Sequence, residues 1–145
     1  MLGKFYPGEY MDSTYAIDFD RIYGEGYRGI IFDIDNTLVP HGAPADERAC
    51  KLFAHLKELG YQCMLLSNNK EPRVKMFNDA VNVSYIFKAG KPKTVNYKKA
   101  MEKFVFESYV NGELVTTNYF TLILNSFWFS FGMTATKMIS TVFFA

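Results

Sequence analysis

Cysteine is scarce in this chain: Cys50 and Cys63 are the only two, and their separation rules out a C-x-x-C redox or zinc pattern. With no disulfide framework, the expectation is free thiols in a reducing compartment. Net charge is scarce as well. A formal +1 at pH 7 offers neither a basic face nor an acidic tail, so no nucleic-acid partner is expected. The opening Met1-Leu2-Gly3-Lys4-Phe5-Tyr6-Pro7 lacks the uninterrupted apolar core of a signal peptide and reads as the start of a cytoplasmic protein. The apolar stretch from Tyr119 to Met133 is broken by Asn125, Ser126 and Ser130. It falls short of the roughly 20 apolar residues that a spanning helix requires.

What is present is a chain of 145 residues, 49% of them hydrophobic, enough for one modest domain with a real core. The stretch that organises it is Arg28-Gly29-Ile30-Ile31-Phe32-Asp33-Ile34-Asp35-Asn36-Thr37-Leu38-Val39. Ile30 to Phe32 show no polar alternation, as expected of a strand buried on both faces of a parallel sheet. Ligands collect outside the carboxyl ends of such strands, and this end carries Asp33, Asp35 and the hydroxyl of Thr37. While the chain stays extended, Asp33 and Asp35 face the same side. Two carboxylates this close repel, and a hard divalent cation bound through oxygen ligands, Mg²⁺, relieves the repulsion. A D-x-D alone also serves glycosyltransferases as a metal holder; the preceding apolar strand and the following Asn36-Thr37-Leu38 favour phosphoryl chemistry here.

Before this stretch, aromatics (Phe5, Tyr6, Tyr10, Tyr15, Tyr23) mix with acids, giving a loop and a short helix around Ile17 to Tyr23 that Gly24 and Gly26 end. The aromatics pack over the sheet, with contact to a lipid surface the alternative. After it, Pro40-His41-Gly42-Ala43-Pro44 is a turn-rich loop with no room for a cap domain, and His41 lies close enough to contact a substrate. Asp46 caps a helix whose stripe Ala49, Leu52, Phe53, Leu56 and Leu59 is core, closed by Gly60. Tyr61 to Leu66 forms a second strand, parallel to the first through a helical crossover and ending at Ser67-Asn68-Asn69. Glu71-Pro72 opens a further helix with Val74, Phe77 and Val81 on one face. Tyr85 to Phe87 is a third strand, followed by Lys88-Ala89-Gly90-Lys91-Pro92 and a helix carrying Tyr97, Ala100, Met101 and Phe104.

Asp33-Ile34-Asp35-Asn36-Thr37-Leu38, the Ser67 strand tip and Gly90-Lys91-Pro92 resemble the first three motifs of the haloacid dehalogenase (HAD) superfamily. Within it the chain is similar to subfamily IIIA and its small cap-less YqeG-type phosphatases, related to phosphatidylglycerophosphatases. That likeness rests also on Tyr6-Pro7, on Ser13 to Ile17, on Pro40 and on Lys70. The resemblance implies a doubly wound, Rossmann-like α/β core without a large cap. It further implies that Asp33 is the nucleophile forming an aspartyl phosphate and that Asp35 is the general acid and base. By the same resemblance Thr37, Ser67, Asn68 and Lys91 (Lys88 as fallback) bind phosphate or substrate, with Asn69 the alternative to Asn68 and a plain turn the bland reading of both, and Asp33 and Asp35 hold Mg²⁺. The implied partner is a phosphorylated small molecule or lipid headgroup, the latter at a membrane surface.

The likeness runs from about Tyr6 to Phe104 and stops there. The family's fourth motif, Gly-Asp-x-x-x-x-Asp, has no counterpart: no Asp follows Asp79, and past Phe104 the only acids are Glu107 and Glu113. Composition shifts at the same place. From Val105 to Ala145 the only Lys or Arg is Lys137, while Phe127, Trp128, Phe129 and Phe131 crowd together. The chain therefore divides into a core at 1–104, incomplete at its C-terminal end, and an atypical tail at 105–145. The tail reads as the product of an altered reading frame; a membrane anchor, or a substitute strand at Phe120 to Leu124 covering the edge of the first strand, are the alternatives.

The functional expectation is Mg²⁺-dependent hydrolysis of a phosphate monoester. The rivals are a catalytically impaired phosphate-binding or interaction protein and a receiver-type phosphoacceptor at Asp33. The frame reading is testable in the coding DNA: another forward frame downstream of the Phe104 codon should encode Gly-Asp-x-x-x-x-Asp followed by an amphipathic helix. Its absence from both frames would make the tail a genuine element.

Overall fold

A computed structural model describes residues 11–104, 106–110, 113–117, 123–124 and 141–144. Strand β1 (Gly29–Phe32) is buried at all four positions, as its uninterrupted apolar run requires. It pairs in parallel with β2 (Gln62–Leu66), Ile30 opposite Cys63 and Phe32 opposite Leu65. Strand β2 pairs in parallel with β3 (Ser84–Ile86). The carboxyl ends of all three strands thus lie together, and every sequence-predicted site residue follows one of them.

Helices cover both faces of this sheet, and strand alternation decides which residues meet them. Ile30, Phe32 and Leu65 belong to a cluster with Ala49, Phe53 and Leu56 of α2 (Glu47–Leu59), Val74 and Phe77 of α3 (Glu71–Val81), and Phe19 and Ile22 of α1 (Phe19–Gly24). The alternate residues Ile31, Met64 and Leu66 pack with Tyr97 and Ala100 of α4 (Val95–Glu102) and with Phe104 just beyond it. This is the expected doubly wound α/β arrangement.

The helix signals act as anticipated, with small shifts. Asp46 caps α2 by accepting the Ala49 N–H at 2.8 Å, and Gly60 closes it at φ 96°. Pro72 sits in the first turn of α3, where its missing N–H costs no helical bond. Helix α1 starts at Phe19 rather than Ile17, because Asp18 caps it through the Arg21 N–H at 2.9 Å; Thr14–Ala16 form a separate 3-10 turn. Tyr15 and Tyr23 pack on the protein: Tyr15 Oη donates to Leu38 O at 2.6 Å, and the Tyr23 ring meets Tyr61 edge-on at 5.1 Å. Phe5, Tyr6 and Tyr10 lie outside the described residues.

The tail differs from expectation. The strand on the free side of β1 is β7 (Thr141–Phe144), antiparallel, with Ile30 opposite Phe143. Of the stretch given as an alternative for that place, Phe120 to Leu124, the described residues are β6 (Ile123–Leu124), which pairs with β7 and not with β1. Sheet order is therefore β3-β2-β1-β7-β6, and β1 is an interior strand. A short apolar segment of either position satisfies the backbone of β1 equally well locally; pairing register is a tertiary choice. Strands β4 (Phe106–Val110) and β5 (Glu113–Thr117) form a separate antiparallel pair. Most of the proposed anchor, Tyr119 to Met133, lies outside the described residues; among those described, no helix is long and apolar enough to cross a membrane.

Gly60 offers a direct test of the helix-end packing. A Cβ there would lie 3.0 Å from Tyr23 Oη, at a backbone angle that side chains rarely adopt. Gly60→Ala should therefore destabilise the fold by more than about 1 kcal/mol, read as a lower urea midpoint at unchanged m-value.

Candidate active site

The chain leaves β1 at Phe32 and turns immediately. The Asn36 N–H donates to Val39 O at 2.8 Å and the Leu38 N–H to Ile34 O at 2.9 Å, so residues 33 to 39 form a tight hairpin at the strand end. Ile34, Leu38 and Val39 are buried under it, which leaves Asp33, Asp35 and Thr37 on the open side. Tyr15 holds the hairpin from outside through Leu38 O, and the Arg48 guanidinium lies 4.0 Å over the Tyr15 ring. Burial first, then the nearby Asp46 charge, push the Tyr15 hydroxyl up to about 12, so it remains a donor.

Asp33 and Asp35 do not share one partner. Lys91 Nζ lies 2.7 Å from Asp33 Oδ1, with the lysine side chain only 8% exposed. Asp33 Oδ1 also accepts its neighbour's amide, Ile34 N–H, at 2.9 Å. Lys91 rather than Lys88 is thus the lysine beside Asp33; Lys88 is exposed, and its N–H donates to Asn69 O at 2.9 Å.

Asp35 is held from three sides. Its Oδ1 accepts the Gly42 N–H at 2.9 Å and Arg73 Nη2 at 2.7 Å, and its Oδ2 accepts the Asn69 side-chain amide. His41 Nδ1 stands 3.8 Å from Oδ1, but its side chain is 75% exposed. Burial raises the Asp35 pKa; the Gly42 hydrogen bond and the Arg73 guanidinium lower it, and their sum prevails, leaving it below the ordinary carboxylate value.

Ser67 is fully buried at the end of β2, and its Oγ accepts both the Asn69 N–H at 3.2 Å and Asn69 Nδ2 at 3.1 Å. With its acceptor capacity used, the hydroxyl proton is left to donate. Asn68 clasps the Lys91 main chain: its Oδ1 accepts the Lys91 N–H at 2.7 Å and its Nδ2 donates to Lys91 O at 3.2 Å. Thr37 sits half-buried in the hairpin turn.

One functional candidate escaped the sequence reading. Arg73 lies in the first turn of α3, where a cation is electrostatically disfavoured by the helix dipole. That misplaced charge, one turn after Ser67-Asn68-Asn69, was the available signal. Its side chain is 14% exposed, and its Nε and Nη1 are buried without hydrogen-bond partners. Asn69, expected with Asn68 to orient substrate or to serve as a plain turn, instead directs its side-chain amide to Asp35 Oδ2 and Ser67 Oγ.

For a hard cation such as Mg²⁺ the two carboxylates differ. Asp33 retains Oδ2, which has no hydrogen bond among the described residues, whereas both Asp35 oxygens are engaged by donors. Among the described residues no three acidic, His or Cys side chains group as a metal centre. Asp33 therefore fits a cation and the Asp35 side chain does not.

In comparison with known proteins, the chain is 36% identical over 103 residues to the probable phosphatase YqeG of Bacillus subtilis strain 168. The match covers 70% of this chain and 60% of that protein, so the chain spans less than two thirds of its relative's length. No protein-family model matches, and neither does any solved structure.

The Asp35 environment has a consequence for acid behaviour. Because its folded pKa lies below the unfolded value of about 3.9, its stabilisation is present above that pH and is lost as pH falls through the folded pKa. Arg73→Ala removes the guanidinium but keeps the burial, so the folded pKa should rise and the acid loss should begin at higher pH. A carboxyl ¹³C NMR titration that leaves Asp35 unmoved in Arg73→Ala would show that another group keeps it ionised.

Proposed function

We propose that this chain is a phosphatase that hydrolyses a phosphate monoester through an aspartyl phosphate on Asp33. The observation that carries the reading is the ion pair of Lys91 Nζ with Asp33 Oδ1 at 2.7 Å, formed beside Asp35 where strand β1 ends. It leaves Asp33 Oδ2 as the attacking oxygen while the ammonium offsets the charge of an incoming dianion. The similarity to a protein named as a probable phosphatase supports the same chemistry.

In the proposed reaction, Asp33 Oδ2 forms a bond to phosphorus as the ester P–O bond breaks. Asp35 gives its proton to the departing alkoxide. Water then attacks the phosphoryl phosphorus, Asp35 takes a proton from it, and inorganic phosphate leaves with Asp33 regenerated. At rest Asp35 is biased toward the ionised form by Gly42 and Arg73; the approach of a phosphate dianion opposes that bias and favours the protonated, donating form. Ser67 donates its hydroxyl to a phosphoryl oxygen, and Lys91 fixes the nucleophile. Mg²⁺, when bound at Asp33, would supply Lewis-acid neutralisation of the phosphoryl group.

The substrate proposal extends, on the HAD likeness, to a phosphorylated lipid headgroup such as that of phosphatidylglycerophosphate, met by a cytoplasmic protein at the membrane surface. A second reading has its own support. Both carboxylates are already paired with cations, and the sequence offers no Asp beyond Asp79 to complete a metal centre. On that reading the chain binds phosphate and turns it over slightly or not at all.

Turnover of a generic phosphate ester by the purified chain separates the two. If it is active, Asp33→Asn should abolish activity and Asp35→Asn should lower it by roughly 10² to 10⁴; activity retained in Asp33→Asn would end the covalent mechanism. Lys91→Ala should weaken binding of inorganic phosphate, measured calorimetrically, by about tenfold or more. Unchanged affinity would remove Lys91 from the site.

A further inference from the structure

Asn69 is the residue at which the three strand-end loops meet. Its N–H and its Nδ2 both donate to Ser67 Oγ, its Nδ2 also donates to Asp35 Oδ2, and its carbonyl accepts the Lys88 N–H at 2.9 Å. These contacts belong in turn to the loops after β2, β1 and β3. A primary amide carries two hydrogens, and here one serves Ser67 and the other Asp35. Both carboxamide donors are therefore spent inside the protein.

We propose that Asn69 is a positioning residue that sets Ser67 and Asp35 relative to each other, turning the Ser67 hydroxyl proton outward as a donor and fixing the proton-transferring oxygen of Asp35. This rests on the phosphatase reading of the site. Arg73 and Gly42 hold the other oxygen, Oδ1, and Asn69 is the contact that holds Oδ2, so together they fix the Asp35 carboxylate about its Cβ–Cγ bond. Without the Asn69 side chain, Oδ2 loses its only side-chain partner among the described residues, and Ser67 Oγ regains one free acceptor site, the Asn69 N–H remaining on it.

A purely structural role would lower activity on every substrate alike, whereas misplacing a proton donor matters most for a poor leaving group. The test compares glycerol phosphate, whose alkoxide needs protonation, with p-nitrophenyl phosphate, whose phenolate leaves without it. The readout is kcat/KM, which covers only the steps through departure of the leaving group and so leaves out the hydrolysis of the aspartyl phosphate that both esters share. In Asn69→Ala, kcat/KM should fall by about 10- to 100-fold more on glycerol phosphate than on p-nitrophenyl phosphate, beyond any loss common to both through Ser67. Equal kcat/KM losses on the two esters, or none, would overturn the proposal; Asn69→Ser, which keeps a small polar group, repeats the comparison if Asn69→Ala does not fold. If the parent chain hydrolyses neither ester, the phosphatase reading fails by itself, and amide hydrogen exchange then decides the positioning role. Gly42 N–H is bonded to Asp35 Oδ1, so freeing the carboxylate in Asn69→Ala should speed its exchange about tenfold. Unchanged exchange at Gly42 would show that Asn69 does not hold Asp35.

Discussion

The constraint on which the site depends is the repulsion between two carboxylates placed two residues apart at one strand end. The fold answers it with two cations from two different elements. Lys91 comes from the loop after β3 and takes Asp33; Arg73 comes from the start of α3 and takes Asp35. Each pair is largely screened from solvent, where a lone charge would be expensive and a paired one is not. The division leaves one carboxylate with a free oxygen and the other with both oxygens engaged, as the proposed mechanism asks of an attacking group and a proton-transferring one.

This arrangement requires the three parallel strands to end in register. Strand β1 delivers Asp33 and Asp35, β2 delivers Ser67 and the two asparagines, and β3 delivers Lys91. The Asn68 clasp on the Lys91 backbone and the Asn69 links to Ser67 and Asp35 then tie the loops across those ends. The core beneath is apolar on both faces of the sheet, so the strands have little freedom to slide. The antiparallel strand β7 on the far side of β1 contributes backbone pairing, and it makes β1 an interior strand.

Much of this was legible locally. The unbroken Ile30-Ile31-Phe32 run, the Asp46 and Gly60 caps and the Pro72 helix start each depend on neighbours a few residues away, and each element lies within a residue or two of its expected place. Lys91 was readable through its place after the third strand. Asn68 was read as a substrate contact, yet its amide is occupied with the Lys91 main chain, a pairing that sequence separation hides. A substitute strand at Phe120 to Leu124 was only an alternative to the altered-frame reading of the tail, and it is β7 at Thr141–Phe144 that lies on β1, because several short apolar segments fit the same edge and local pattern does not rank them.

The sequence by itself determined the elements and the chemical inventory: three short strands, their amphipathic helices, and an acidic, hydroxyl and lysine residue at successive strand ends. These follow from backbone periodicity, capping and residue type, all short-range. Only the tertiary structure decided which charge neutralises which. Arg73 reaches Asp35 across 38 positions and Asn69 across 34, contacts that exist because α3 packs against the sheet beside the β1 hairpin. Ion-pair and hydrogen-bond partners are selected by distances of a few ångströms in space, and no spacing along the chain encodes those distances.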